Sequence, residues 1–272
     1  PTLIIPSNIT FYPIRSSENL LLTGVELFAD NLSLRQTEEL LIEGNIILKN
    51  TDMDIRMGIP IEPHKVSNWW NRFLLERVSS KFKTLDDVFK LQTSPKNWQQ
   101  RYLGAYFKKI ANATRDQYMH EIYANVTINL SHLASTLIMY CMEKGQQQIE
   151  HQCFFTTLYI AVKHLQLNSK INLHRSLLNP ADYCDLSSGS NKRFEHFICV
   201  AKSSDLIIEH DKCYQFLPKL LEAQDFDEIR LENLIAVYNN EAEPIKAVRQ
   251  VIIQALQECG QIDPLQLAAW HF

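Results

Sequence analysis

Residues 1–15, PTLIIPSNITFYPIR, form an apolar, β-branched run bounded by prolines and predict a buried strand over 3–13. From 17 to 44 the apolar positions take a helical period, with Leu21, Leu22, Val25, Leu27 and Phe28 on one stripe. Ser33 caps a second helix there, Gln36 completes its capping box, and Gly44 ends it. Residues 45–49 and 54–61 then alternate or run β-branched, with Pro60 confining the latter to a strand end or an edge. Residues 1–62 therefore predict an α/β segment. After Pro63 the period is helical. Trp69, Trp70, Phe73, Leu74 and Val78 share a stripe, Thr84 opens a short helix over 85–91, and Trp98 starts a long one through Tyr102, Tyr106 and Ile110. Apolar helices follow over 130–142 and 153–165, then a loop marked by Pro180 and Ser187–Ser190. A helix over 194–201 leads into two short strands, 205–209 and 213–217, around the turn His210-Asp211-Lys212. An amphipathic helix over 243–258, with Pro244 in its first turn, closes the pattern. Residues 63–272 thus predict a mostly helical domain with a small β-hairpin, winged-helix-like near 194–217.

The composition is that of a globular chain: 272 residues, 46% hydrophobic and 21% charged, with a net charge of −4. That balance argues against a nucleic-acid partner. The helix near 194–217 agrees, because Lys192, Arg193 and Lys202 are offset by Glu195 and Asp205. Only 7 glycines occur, and none make a G-x-G or Walker-type loop, which excludes a self-contained Rossmann or P-loop site. No apolar run reaches the ~18 residues of a membrane span. The 6 cysteines contain no C-x-x-C, so free thiols in a reducing, cytoplasmic compartment are expected. Each cysteine sits in or beside an apolar or acidic stretch, where the thiolate is disfavoured. N-x-S/T sequons occur at Asn8, Asn31, Asn112, Asn125 and Asn129, and have no meaning as glycan sites in that compartment.

Candidate chemistry is sparse. The 9 histidines offer neither H-E-x-x-H nor a metal-spaced pair on one helix face. His132 and His164 lie within apolar helices and read as core or interface residues. G-x-S-x-G is absent. In TDMDIRMG, alternation puts Asp52, Asp54 and Arg56 on one strand face and Met53, Ile55 and Met57 on the other. The polar row reads as a solvated face, or else as the polar rim of a substrate mouth. Trp69, Trp70 and Phe73 near Lys65, Arg72 and Arg77 form either core packing or an interfacial patch for peripheral membrane contact.

Two stretches, LIIPSNITFYPIR and EELLIEGNIILKNTDMDIRMGIPI, resemble bacterial phospholipid and glycerol acyltransferases of the glycerol-3-phosphate and lysophosphatidate type. The apolar-Pro-apolar strand, Ile4 to Ile9, is similar to the family's fourth conserved block, and GIPI to its closing strand. TINLSHLASTLIMYCMEKG and CYQFLPKLL with DEIRLENLIAVYNNEAEPI are similar to the helical C-terminal extension of those enzymes. The resemblance implies that Ile5, Pro6, Asn8 and Ile9 line an acyl or acceptor pocket, with Arg15 a candidate phosphate-facing charge. It implies an acyl thioester of coenzyme A or acyl carrier protein as donor and a glycerol phosphate or lysophospholipid as acceptor. No resident cofactor or metal is implied, and the location is the cytoplasm or the inner-membrane surface.

The family's His-x4-Asp pair, whose His is general base on the glycerol hydroxyl, has no counterpart here. His120 is followed five positions on by Asn125, His132 by Leu137 and His174 by Asn179. Glu43-Gly44-Asn45 lies after the Pro-strand, whereas the family's phosphate-binding block precedes it. The expectation is therefore the C-terminal portion of such an enzyme, inactive alone, self-associating through the uncovered strand near residue 1. The alternative is a non-catalytic helical module for protein interaction or regulation.

Overall fold

The computed structural model describes residues 3–12, 52–63, 98–189, 191–222, 233–239 and 242–260, with Phe73 and Thr84 besides. The expected elements over 17–49, the helices near 66–78 and 85–91, and Arg15 lie outside the described residues. Phe73 of the aromatic patch is exposed. The chain divides into two compact units, Pro1–Asn8 with Ile55–Asn125, and Ile9–Asp54 with Val126–Phe272. Two short strands, β1 (Ser7–Tyr12) and β2 (Asp52–Met57), pair with each other, and each contributes residues to both units.

The first unit is built on α1, Trp98–Ala124, which at 27 residues is ~40 Å long. Leu103 and Gly104 are its buried residues, and a half-buried stripe continues through Phe107, Ile110, Thr114, Tyr118 and Glu121. That spacing of three and four keeps one helix face inward.

The second unit holds the core. Helix α2 (Leu130–Glu143) is apolar on almost every side and correspondingly buried, from Leu130 to Ile138 and again at Cys141 and Met142. Around it lie β3 (Gln148–Glu150), α3 (His151–Gln166), α4 (Pro180–Tyr183), α5 (Lys192–Ser203), β4 (Ile207–His210), β5 (Cys213–Phe216), α6 (Leu234–Tyr238) and α7 (Glu243–Cys259). α7 packs along α3 and α2, and α6 packs on α2. An aromatic cluster of Phe154, Phe155, Phe194 and Tyr214 joins α3, α5 and β5.

The hairpin matches the expectation closely and gains a strand. β5 lies between β3 and β4, antiparallel to both, with Ile149 opposite Tyr214 and Ile207 opposite Phe216. β3 is three residues long between helices, too short for alternation to register. The two-residue turn has Asp211 and Lys212 both at positive φ, 40° and 68°, the backbone of a type I′ hairpin. The loop expected around Pro180 is instead helical. Asn179 caps Ala181, Pro180 occupies the first turn of α4, and a 3₁₀ helix runs on over Cys184–Ser188.

The first strand is not buried on both sides, as the sequence predicted. Pro6, Thr10 and Tyr12 point inward, but Ile5 is 48% exposed and Ile9 52%. β2 corrects the second expectation. Its polar row, Asp52, Asp54 and Arg56, is half-buried, while Met53, Ile55 and Met57 are exposed.

Candidate functional site

In the first unit, the two segments that carry the resemblance meet. Ile4 and Ile61 form an antiparallel bridge, N–H to carbonyl both ways at 3.0 and 2.8 Å. The Gly58 N–H donates to the Pro6 carbonyl at 2.8 Å. α1 fixes both segments. The Asn8 amide donates to the Ile122 carbonyl at 3.2 Å, and Glu121 Oε2 accepts from the Ile59 N–H at 2.9 Å. Asn125 secures the end of the helix by donating to the Glu121 carbonyl at 2.7 Å. Glycine at 58 lets the strand approach α1 closely. A Cβ there would stand 2.9 Å from Glu121 Oε2 and 3.2 Å from Asn125 Nδ2.

Next to this junction lies an open groove of about 570 Å³, lined by Ile4, Pro63, Phe107, Ile110, Ala111, Thr114, Arg115 and Tyr118. Its size falls within the ~300–1,000 Å³ of ligand pockets. Its floor is the apolar face of α1, and Arg115, which donates to Asp116, brings a cation to the rim. Apolar walls with one cationic edge suit an amphiphile with an anionic head. Among the described residues that line the groove, none is a histidine, aspartate or glutamate.

The predicted site residues divide by strand direction. Pro6 is buried and Asn8 half-buried, and both hold the strand junction through hydrogen bonds. Ile9 on β1 and Ile5 just before it are exposed, while Ile4 reaches the groove. The contribution of α1 was missed at the sequence level. Its signal was the spacing of Phe107, Ile110, Ala111, Thr114 and Tyr118.

The histidines considered as bases do other work. His120 is exposed on α1, away from the groove lining. His132 is 4% exposed, and its Nδ1 accepts from the Asn129 N–H at 3.2 Å, while Asn129 Oδ1 accepts from the Ser131 and His132 N–H groups. This reciprocal cap opens α2. Burial lowers the His132 pKa to about 3, so the ring is neutral. Asn129 is wholly buried in the same cap, which leaves its sequon no room for a glycan.

His174 has a triad-like outline, with Nδ1 2.8 Å from Ser176 Oγ and Nε2 3.7 Å from Asp52 Oδ2. Yet His174 and Ser176 are both buried, Nδ1 also caps the Ser176 N–H at 3.2 Å, and Tyr12 closes on the ring edge-on at 5.1 Å. Asp52 is engaged by Arg175, whose Nε donates to Oδ2 at 3.1 Å and whose second nitrogen pairs with Oδ1. The serine is buried, and the cluster ties Asp52 to the rest of the second unit.

A second cleft of about 570 Å³, in the second unit, is lined by Glu150, His151, Gln152, Ser188, Gly189, Asp211, Lys212 and Cys213. His151 Nε2 lies 3.3 Å from Glu209, its ring rests on Tyr214 at 4.1 Å, and burial lowers its pKa against the pull of Glu209. The lining mixes carboxylates with one lysine and favours no charge of ligand. Among the described residues no group of three or more His, Cys, Asp or Glu is placed to hold a metal ion. No described helix is long and apolar enough to cross a membrane. No family model, curated protein or solved structure matches the chain.

Proposed function

We propose that this chain supplies the acyl-binding portion of a glycerolipid acyltransferase, which moves an acyl group from a thioester to a glycerol phosphate or lysophospholipid at a membrane surface. The observation that carries the reading is the apolar groove on α1. Its wall is Ile4, from the strand that resembles the family's fourth block, and the paired GIPI segment runs beside it. The groove suits the acyl chain, and Arg115 at the rim suits a phosphate. The reaction also needs a base on the acceptor hydroxyl, worth ~10²–10⁴-fold. The sequence has no His-x4-Asp, and the described histidines closest to that role, His132 and His174, are buried. The proposal therefore assigns binding, not proton transfer, to these residues, and the chain alone releases no thiol from acyl-coenzyme A.

The test is calorimetric titration of the full chain with decanoyl-, lauroyl- and myristoyl-coenzyme A below their micellar concentrations. Each buried methylene contributes ~0.8 kcal/mol, so affinity rises about tenfold for every two carbons until the groove is filled. Ala111→Trp, which fills the groove from the helix side, weakens binding tenfold or more. Absence of binding, affinity independent of chain length, or an Ala111→Trp protein that binds as wild type overturns the assignment.

A further inference from the structure

The 6 cysteines show no pairing motif in the sequence, yet the fold of the second unit brings two of them together. Cys153 lies in the first turn of α3 and Cys259 is the last residue of α7, 106 positions later. Their sulfurs are 3.5 Å apart, and Cys259 Sγ is 3.6 Å from the Cys153 carbonyl oxygen. A disulfide needs ~2.05 Å, so side-chain rotation has to close only about 1.5 Å. The helices that carry them pack along each other, so the approach is fixed by the core. Thr157 Oγ1 donates to the Cys153 carbonyl at 2.7 Å and holds the turn. Both thiols are half-buried, open enough for a small oxidant. Cys141, in contrast, is wholly buried in α2, and burial pushes its thiol up to about 11.

We propose that Cys153 and Cys259 form a redox-modified dithiol, which a small disulfide oxidant of the glutathione type converts into an intramolecular disulfide joining the end of α7 to the start of α3. The two thiols hold their protons unequally. The hydrogen bond between the two sulfurs is the first cause of both shifts, lowering Cys259 against the effect of burial and raising Cys153. Cys259 thus departs from the expectation that every thiolate here is disfavoured, and it is the attacking sulfur. Its thiolate attacks one sulfur of the oxidant, forms a mixed disulfide and releases one glutathione thiolate. Cys153 then gives its proton to water and attacks the Cys259 sulfur, expelling the second glutathione. The protein sulfurs lose two electrons together, and the oxidant's disulfide gains them. The bond closes a loop of about 106 residues and locks the last turn of α7 onto α3, and a dithiol reductant reverses it.

The full chain, reduced and then exchanged into oxidised glutathione, is alkylated and mapped by proteolysis and mass spectrometry. We expect one intramolecular cross-link, between the Cys153 and Cys259 peptides, and a Tm about 10 °C above that of the reduced protein. Cys153→Ser and Cys259→Ser each lose the cross-link and the rise in Tm. Cys199→Ser, which changes an exposed cysteine, keeps both. In Cys153→Ser the reaction halts with glutathione on Cys259. If the folded wild-type chain forms no such cross-link, or pairs other cysteines instead, the proposal is wrong. An unchanged Tm on oxidation equally overturns the locking of α7.

Discussion

His132 makes the second unit acid-sensitive well above the range of carboxylates. The ring is buried, caps α2 through Nδ1 and meets Tyr238 edge-on at 4.7 Å. Its pKa is lowered from 6.5 to about 3 by desolvation. A histidine depressed in the folded state binds its proton in the unfolded chain first. Its contribution to stability is therefore fully present above pH 6.5 and is lost as pH falls from 6.5 toward 3. Between pH 7 and pH 5 this loss is about 2 kcal/mol, since each unit below 6.5 costs ~1.36 kcal/mol. The perturbation is His132→Gln. Glutamine is a natural capping-box partner at this third helical position, so it retains an acceptor for the Asn129 N–H and does not titrate. Denaturant unfolding at pH 7 and pH 5, followed by circular dichroism, gives the change in stability for each protein. We expect the wild-type loss to exceed that of the variant by about 2 kcal/mol, whatever their stabilities at pH 7. His151, whose pKa burial also lowers, acts in both proteins and cancels. Glu143 and Glu258, held low by Arg249 and by His164 with Gln254, lose their contributions below about pH 4.5, outside the window. Equal pH dependence in the two proteins would falsify the buried, neutral His132.

Two further substitutions test the local geometry. Asp205 follows α5 at φ 55°, where the Leu206 N–H reaches the Ala201 carbonyl at 2.9 Å and Leu206 is wholly buried, the closure usually made with glycine. Asp205→Gly should stabilise the second unit by ~1 kcal/mol, read as a rise in denaturation midpoint at unchanged slope, and a fall in midpoint would contradict the strain assigned there. Gly58→Ala brings a methyl to 2.9 Å from Glu121 Oε2, the movable end of that side chain, which swings off the Ile59 N–H, so we expect a loss of about 1 kcal/mol and faster amide exchange at Ile59 and Ile61. Unchanged exchange would show that α1 does not hold the GIPI segment.

How much of this was legible in the sequence depended on the range of the interaction. Helices α2, α3 and α7 were readable because their apolar positions are dense and their boundaries carry local signals, such as Pro244 at the start of α7. The hairpin was readable as two short apolar stretches on either side of the turn His210-Asp211-Lys212. Its Asp211-Lys212 turn lacks the glycine that usually marks a type I′ loop, and the flanking strands over-determine it. β3 was invisible, because a three-residue strand has no period of its own and exists only through β5. The helical turn at Asn179-Pro180 was read as loop from Pro180 and the serine run at 187–190, although a capping Asn followed by Pro is a helix start. The Cys153–Cys259 approach spans 106 residues and depends on how α7 lies along α3, which no local pattern encodes.

Alternation in β2 separated the two side-chain rows correctly but could not say which row packs. The usual inference, apolar in and polar out, assumes that the polar row has only water to bond with. Here it has partners. Asp52 receives Arg175 and faces His174, and on β1 Thr10 Oγ1 accepts from the Thr127 N–H at 3.4 Å while Asn8 reaches the end of α1. Asp52, Thr10 and Asn8 thus exchange water for a protein hydrogen bond, which removes the main cost of burying them. The apolar row is left outside: Met53, Ile55 and Met57 on β2, Ile9 on β1 and Ile5 just before it. Apolar side chains leave no hydrogen bond unmade at a surface, so their exposure forgoes a gain rather than breaking a bond. That asymmetry is why a strand pair can turn its polar face inward, and why the direction of such a face has to be read from the partners and not from the alternation.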